Sequence, residues 1–314
     1  MRYIPARICL FLVGALATSA CGGIAAGPIL AHPDALSLPQ PSAGGVKKDR
    51  LYISSLPAIR EYAVSGNRYQ SLCVNSVPPT SYVWGGIGVN AAHVLYVPVF
   101  SLHEIFTFSA NCGPAGPTLS DPAGGPIDVA FDNKLGIVYV SDGNGCVEVY
   151  EDGATLPTRK LCESGFTGTY SVAVRGGDVY ATVFKLCDDQ IYECSYLVRY
   201  PHGRQKGARV LPLTEEYFDT TVGITFDLKG NLLAFSYLGE VMVYPPPYQG
   251  TPGRWCTVEY NSEYGALDSN NRLLYTSAGG GVAVFSYPSC KYKYFIAQQS
   301  QAGVGVAVDT QSGS

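Results

Sequence analysis

Eight cysteines, Cys73, Cys112, Cys146, Cys162, Cys187, Cys194, Cys256 and Cys290, carry the clearest chemistry in this 314-residue chain. A set of this size either binds metal or forms disulfides. Zinc sites need ligands at short, regular spacings. The chain has no C-x-x-C pair, and its four histidines, His32, His93, His103 and His202, are scattered. An even count without metal spacing predicts disulfides, and disulfides predict export to an oxidising compartment. Neither a G-x-S-x-G nucleophile elbow nor a Gly-rich phosphate loop is present. A net charge of −4 with no basic run excludes nucleic acid and anionic membrane surfaces as partners. No cofactor and no metal are called for.

Two further cysteines, Cys9 and Cys21, sit in the N-terminal segment. Arg2 and Arg7 precede the apolar stretch Ile8–Leu16, which is too short to span a bilayer as a helix. Residues 1–20 therefore read as a signal peptide. Thr18-Ser19-Ala20-Cys21 resembles a bacterial lipobox, in which cleavage precedes a lipid-bearing cysteine. It departs from that pattern where Thr18 replaces the usual Leu. The resemblance implies lipidation of Cys21; ordinary cleavage after Ala20 is the alternative, leaving a periplasmic or secreted soluble protein. Gly22, where inner-membrane lipoproteins carry Asp, resembles lipoproteins sent to an outer membrane. Residues 21–48 are rich in Gly, Ala, Pro and Ser and predict a flexible tether.

From about residue 49 a module repeats. Its third strand reads apolar-x-x-aromatic, ending at Tyr62, Phe108, Tyr150, Tyr200, Tyr244 and Phe285, spaced by 46, 42, 50, 44 and 41 residues. A second strand precedes each copy, as in Leu51-Tyr52-Ile53 and Val138-Tyr139-Val140. A first strand precedes that, as in DVAFD (128–132), SVAVR (171–175) and GITFD (223–227). The first unit lacks this strand, and an extra copy, GVAVD, stands at 305–309. Four short strands at a period near 40–45 residues predict a β-propeller, here all-β with six four-stranded blades. The C-terminal strand should complete the first blade, giving a propeller over 49–309 and a tail at 310–314.

These motifs resemble NHL-type six-bladed propellers, particularly the exported bacterial kind. The resemblance covers about residues 49–309 and implies the fold. It leaves function open, because that superfamily holds binding modules, hydrolases, lyases and scaffolds. Gluconolactonase-like members hold a divalent cation with Glu, Asn and Asp at the starts of first strands. The equivalent positions here are Gly86, Asp128, Ser171, Gly223, Tyr264 and Gly305, with a single carboxylate. Lyase-like members use His with metal ligands, and no matching set is found.

Ligands of such propellers sit over the axis, near the second-to-third-strand turns and the connections into first strands. The candidates there are Trp84, His103, Glu104, Asp128, Asp142, Asp188, Asp189, Tyr217 and Asp219. Each has a structural reading beside the functional one. Asp128 can accept backbone hydrogen bonds around the channel, and Asp142 precedes the turn Gly143-Asn144-Gly145. His103 has no evident acid partner. Asp188, Asp189 and Glu193 read as a solvated loop tip. Tyr217 and Asp219 can rim a pocket or lie on an exposed loop, and Trp84 can plug the channel or stack on a sugar.

Eight thiols allow about a hundred pairings, and the repeat narrows them. Cys146 and Cys162 fall opposite each other in one hairpin. Cys187 and Cys194 bracket an insertion in blade four. Cys73 and Cys256 lie in fourth strands, while Cys112 and Cys290 follow third strands of the next blade. This predicts Cys73–Cys112 and Cys256–Cys290 between blades. The reading as a whole is an exported, lipid-anchored, monomeric propeller that binds an envelope protein, glycan or peptide without catalysis; the alternative is a gluconolactonase-like or lyase-like enzyme.

Overall fold

A computed structural model describes residues 49–55, 57–65, 68–79, 85–110, 113–151, 153–187, 193–214, 218, 221–258, 262–298 and 305–309. The predicted signal, Cys9, Cys21, the tether and the tail lie outside these residues. The described strands form six four-stranded antiparallel sheets, the blades of a six-bladed β-propeller. Blade three shows the pattern, with strands Pro126–Asp132, Ile137–Asp142, Cys146–Tyr150 and Arg159–Cys162.

The ring closes through its two ends. Val306–Asp309 pairs antiparallel with Asp49–Ser55, joining Val308 to Leu51 and Val306 to Ile53. Blade one therefore takes its innermost strand from the C-terminus. This pairing leaves no open edge at the seam.

Each pair of adjacent blades encloses its own apolar core. Leu51, Val64, Tyr275 and Val284 join blades one and six, and Ile105, Leu119, Val140 and Tyr150 join blades two and three. Inner strands are covered on both faces, so they read as continuous apolar runs. The stretch LLYTSA (Leu273–Ala278) is buried at every position. Fourth strands stand on the outside: Arg68–Ser76 and Lys291–Ala297 are largely exposed. Gly145, Gly239 and Gly280 occupy equivalent second-to-third-strand turns at φ between 82° and 87°, backbone that suits glycine alone.

Cys146 and Cys162 are direct register partners and form a disulfide, with Cα atoms 4.4 Å apart. Cys187–Cys194 closes the hairpin of blade four. Cys256–Cys290 ties the outer strand of blade five to the turn after the third strand of blade six. Cys73 is also disulfide-bonded; Cys112, the partner expected from the sequence, lies outside the described residues.

Candidate functional site

The six first strands surround a channel containing a cavity of about 270 Å³. That is below the roughly 300–1,000 Å³ of typical small-ligand pockets. Its wall is mostly backbone and aliphatic side chain, with Phe131 and Phe226 among the lining residues.

The starts of these strands are fixed by a recurring clamp. A second-strand serine accepts an amide at or near the start of the first strand of the same blade. Ser54 Oγ takes Gly305 N at 2.8 Å, Ser141 Oγ takes Asp128 N at 2.9 Å and Ser277 Oγ takes Tyr264 N at 3.0 Å. The Asp128 carboxylate is buried, and it accepts hydrogen bonds from Ser171 Oγ at 2.5 Å, Val129 N at 2.8 Å and Val172 N at 3.2 Å. Burial pushes its pKa up to about 6, and these three donors hold it from rising further. Gly86 lies against it: a Cβ there would sit 1.9 Å from Asp128 Oδ1. Tyr264 lines the cavity and donates its hydroxyl to the Tyr170 carbonyl at 3.2 Å. A hard cation needs several oxygens, some charged. Glycine, serine and tyrosine around one committed carboxylate do not fit it.

Blade four has longer inner strands than blade five. Its second and third strands, Asp178–Leu186 and Glu193–Tyr200, are nine and eight residues long, against five and five in blade five. The Cys187–Cys194 bridge clamps the extended end. On it Tyr170 stacks on Phe184 with ring centroids 4.2 Å apart, and Phe166 tilts against Tyr196 at 5.3 Å. Lys185 Nζ lies 5.1 Å from the Tyr196 ring centre, a cation–π contact. All four rings are half-buried. Gly168 makes the stack possible, since a Cβ there would meet the Phe184 ring at 1.9 Å. The Tyr170 hydroxyl donates to Glu193, and burial followed by that acceptor raises its pKa. Phe184 pairs in register with Ser195 and Tyr196 with Val183, so the Tyr170–Phe184 pair and the Phe166–Tyr196–Lys185 group lie on opposite faces of blade four; each offers an aromatic contact with adjacent charge that suits sugar faces or peptide side chains.

His103 is exposed, with φ of 56°, and its Nδ1 contacts the Gly124 carbonyl oxygen. Asp142 ends the second strand of blade three, and its Oδ1 accepts Asn144 N at 3.2 Å, the turn contact expected from the sequence. Asp142 also lies over Gly124, where a Cβ would meet Oδ1 at 1.9 Å. His103 and Asp142 thus meet on one glycine, with Asp121 beside them; Asp121 N donates to the His103 carbonyl at 2.7 Å. Asp128 is held separately at the axis. Trp84, Asp188, Asp189, Tyr217 and Asp219 lie outside the described residues. Sequence reasoning passed over Asp121, Glu148 and the four rings of blade four. The length of blade four was the only signal for the rings.

No protein-family model matches the sequence, and no curated protein matches it. Among solved structures, the chain is similar to one from a nidogen/laminin complex, with a TM-score of 0.67 and 17% identity over 83% of this chain and 98% of that one. At that identity the likeness shows the fold: this chain is a six-bladed β-propeller with disulfides. Three defined bridges point to an exported or extracellular protein. Among the described residues no helix is long and apolar enough to cross a membrane.

Proposed function

We propose that this chain is an exported NHL-like propeller that binds or scaffolds at a cell envelope without catalysis. In this reading residues 1–20 are a signal, Cys21 carries lipid, 21–48 tether a monomeric ring, and 310–314 are a tail. The observation that carries the proposal is the extended, disulfide-clamped end of blade four with its half-buried rings and Lys185. The committed state of Asp128 and the narrow cavity support binding at the rim rather than chemistry in the channel. The similar structure comes from a complex between two proteins, which accords with a propeller used for contact.

The ligand class is a glycan or peptide presented at the envelope. Mature protein on glycan and peptide arrays should give saturable binding that Tyr170→Ala and Phe184→Ala weaken about tenfold each. Equal binding by both variants would remove blade four from the account. Metabolic labelling with a fatty acid should mark the protein and be lost in Cys21→Ser; an unlabelled wild type would reject the anchor.

A further inference from the structure

Three acidic side chains meet between blades two and three, away from the axis. Asp121 follows the fourth strand of blade two, Leu119–Ser120. Asp142 ends the second strand of blade three, and Glu148 lies in its third strand, Cys146–Tyr150. Glu148 pairs in register with Val140, two residues before Asp142, so both acids point from one face of the sheet. That face packs on blade two, where Val140 and Tyr150 meet Ile105 and Leu119. All three acids are 0% exposed. One carboxylate oxygen from each lies within 4.8 Å of the others.

The hydrogen bonding of all three is incomplete. Each carboxylate has one oxygen engaged: Asp121 Oδ1 with Ala123 N at 3.4 Å, Asp142 Oδ1 with Asn144 N at 3.2 Å, and Glu148 Oε1 with Lys160 Nζ at 2.8 Å. Asp121 Oδ2, Asp142 Oδ2 and both Glu148 carboxylate oxygens are buried without a hydrogen-bond partner, Glu148 Oε1 being met by the Lys160 ion pair alone. A native fold rarely leaves a buried acceptor unpaired, and here unpaired acceptors belong to all three members of one cluster. Against three acids stands one lysine, itself 44% exposed and reaching in from solvent. With all three ionised, as around a bound metal, the formal charge left after Lys160 is that of one divalent cation.

We infer that Asp121, Asp142 and Glu148 form a binding site for a Ca²⁺-like divalent cation. The donors are all oxygen, as a hard cation requires, and their spacing is one that two Ca–O bonds of about 2.3–2.6 Å bridge. Mg²⁺ demands shorter bonds and regular octahedral geometry, so it binds more weakly here. The turn 122–124 covers the site and is pinned by His103 on the Gly124 carbonyl and by Asn144 Nδ2 on the Ala123 carbonyl at 3.2 Å. Calcium would tie blade two to blade three beneath this cover. Without metal, burial and mutual repulsion push Asp121 up to about 6 and Asp142 up to about 7.

Calorimetric titration of chelator-treated mature protein with CaCl₂ tests the site. The expected result is one ion bound per chain, weaker binding of MgCl₂, and a rise in Tm of about 5 °C at 1 mM Ca²⁺. Asp142→Asn keeps the shape of the side chain and removes one buried charge, so it should fold, with an unaltered circular dichroism spectrum, while losing the calcium response. No binding heat and no Tm shift at millimolar Ca²⁺ between pH 6 and 8 would overturn the proposal. So would an unchanged calcium response in folded Asp142→Asn.

Discussion

Ser171 of blade four donates its hydroxyl to Asp128 of blade three at 2.5 Å, and the same oxygen accepts the amide of Ile224 from blade five at 3.1 Å. Two side chains thereby join three blades at the axis. Asp128→Ala would strand the Ser171 hydroxyl and the amides of Val129 and Val172. We expect a loss of about 3 kcal/mol in urea unfolding, within the range for buried groups left unpaired. Asp128→Asn, which retains an acceptor oxygen, should lose less. A change below about 0.5 kcal/mol in the alanine variant would show that the stitch is energetically idle.

The buried acids make stability depend on pH in a definite direction. Asp121 and Asp128 are raised to about 6 and Asp142 to about 7, burial being the largest cause for each. An unfolded Asp titrates near about 3.9. The folded state therefore keeps protons that the unfolded chain releases. The stability these groups contribute is full below about pH 3.9 and is lost as pH rises through 6 to 7. Glu148, Lys160, His103 and Tyr150 face the Asp121–Asp142 pair. In calcium-free buffer, Asp142→Asn should gain Tm relative to wild type as pH rises from 4 to 8. A constant difference between the two proteins would contradict the raised value.

The seam depends on five C-terminal residues, 305–309. Deleting them removes buried Val306 and Ala307 and exposes the edge of Asp49–Ser55. Whole-domain stability is only about 5–15 kcal/mol, so the truncated ring should lose its cooperative transition. Equilibrium unfolding followed by tryptophan fluorescence reads this directly. An unaltered midpoint and slope would mean that closure adds nothing.

The two local disulfides should behave differently. Cys146–Cys162 spans 16 residues inside a blade, and replacing both by Ser should cost about 3 kcal/mol of stability. Cys187–Cys194 clamps only the extended end of blade four, so its removal should spare Tm but weaken ligand binding about fivefold by loosening the rings. Comparing Tm and affinity in the two double variants checks the contrast; a matching loss of affinity in both would contradict it.

The ring was legible because strands with both faces covered leave long apolar runs, and because each third strand ends in an aromatic such as Tyr150 or Tyr244 packed between blades. The closure was legible from the displaced GVAVD. The acidic cluster was not. In Val147-Glu148-Val149-Tyr150 the glutamate sits where alternation predicts an exposed residue, yet the neighbouring blade buries that face as well. Asp121 reads as a loop residue before Pro122, and only the packing of blade two on blade three brings it to Asp142. Tyr170 and Phe184 meet across adjacent strands because Gly168 leaves room, a dependence on register that composition does not record.

The account rests on a rim that binds and a channel that performs no chemistry. The most direct test is product analysis by NMR on mature protein incubated with array-positive glycans or peptides and with a panel of lactones, with and without divalent cations. The account predicts saturable binding with every ligand recovered unchanged. Conversion at a rate proportional to protein concentration, and abolished in folded Asp128→Asn, would contradict it.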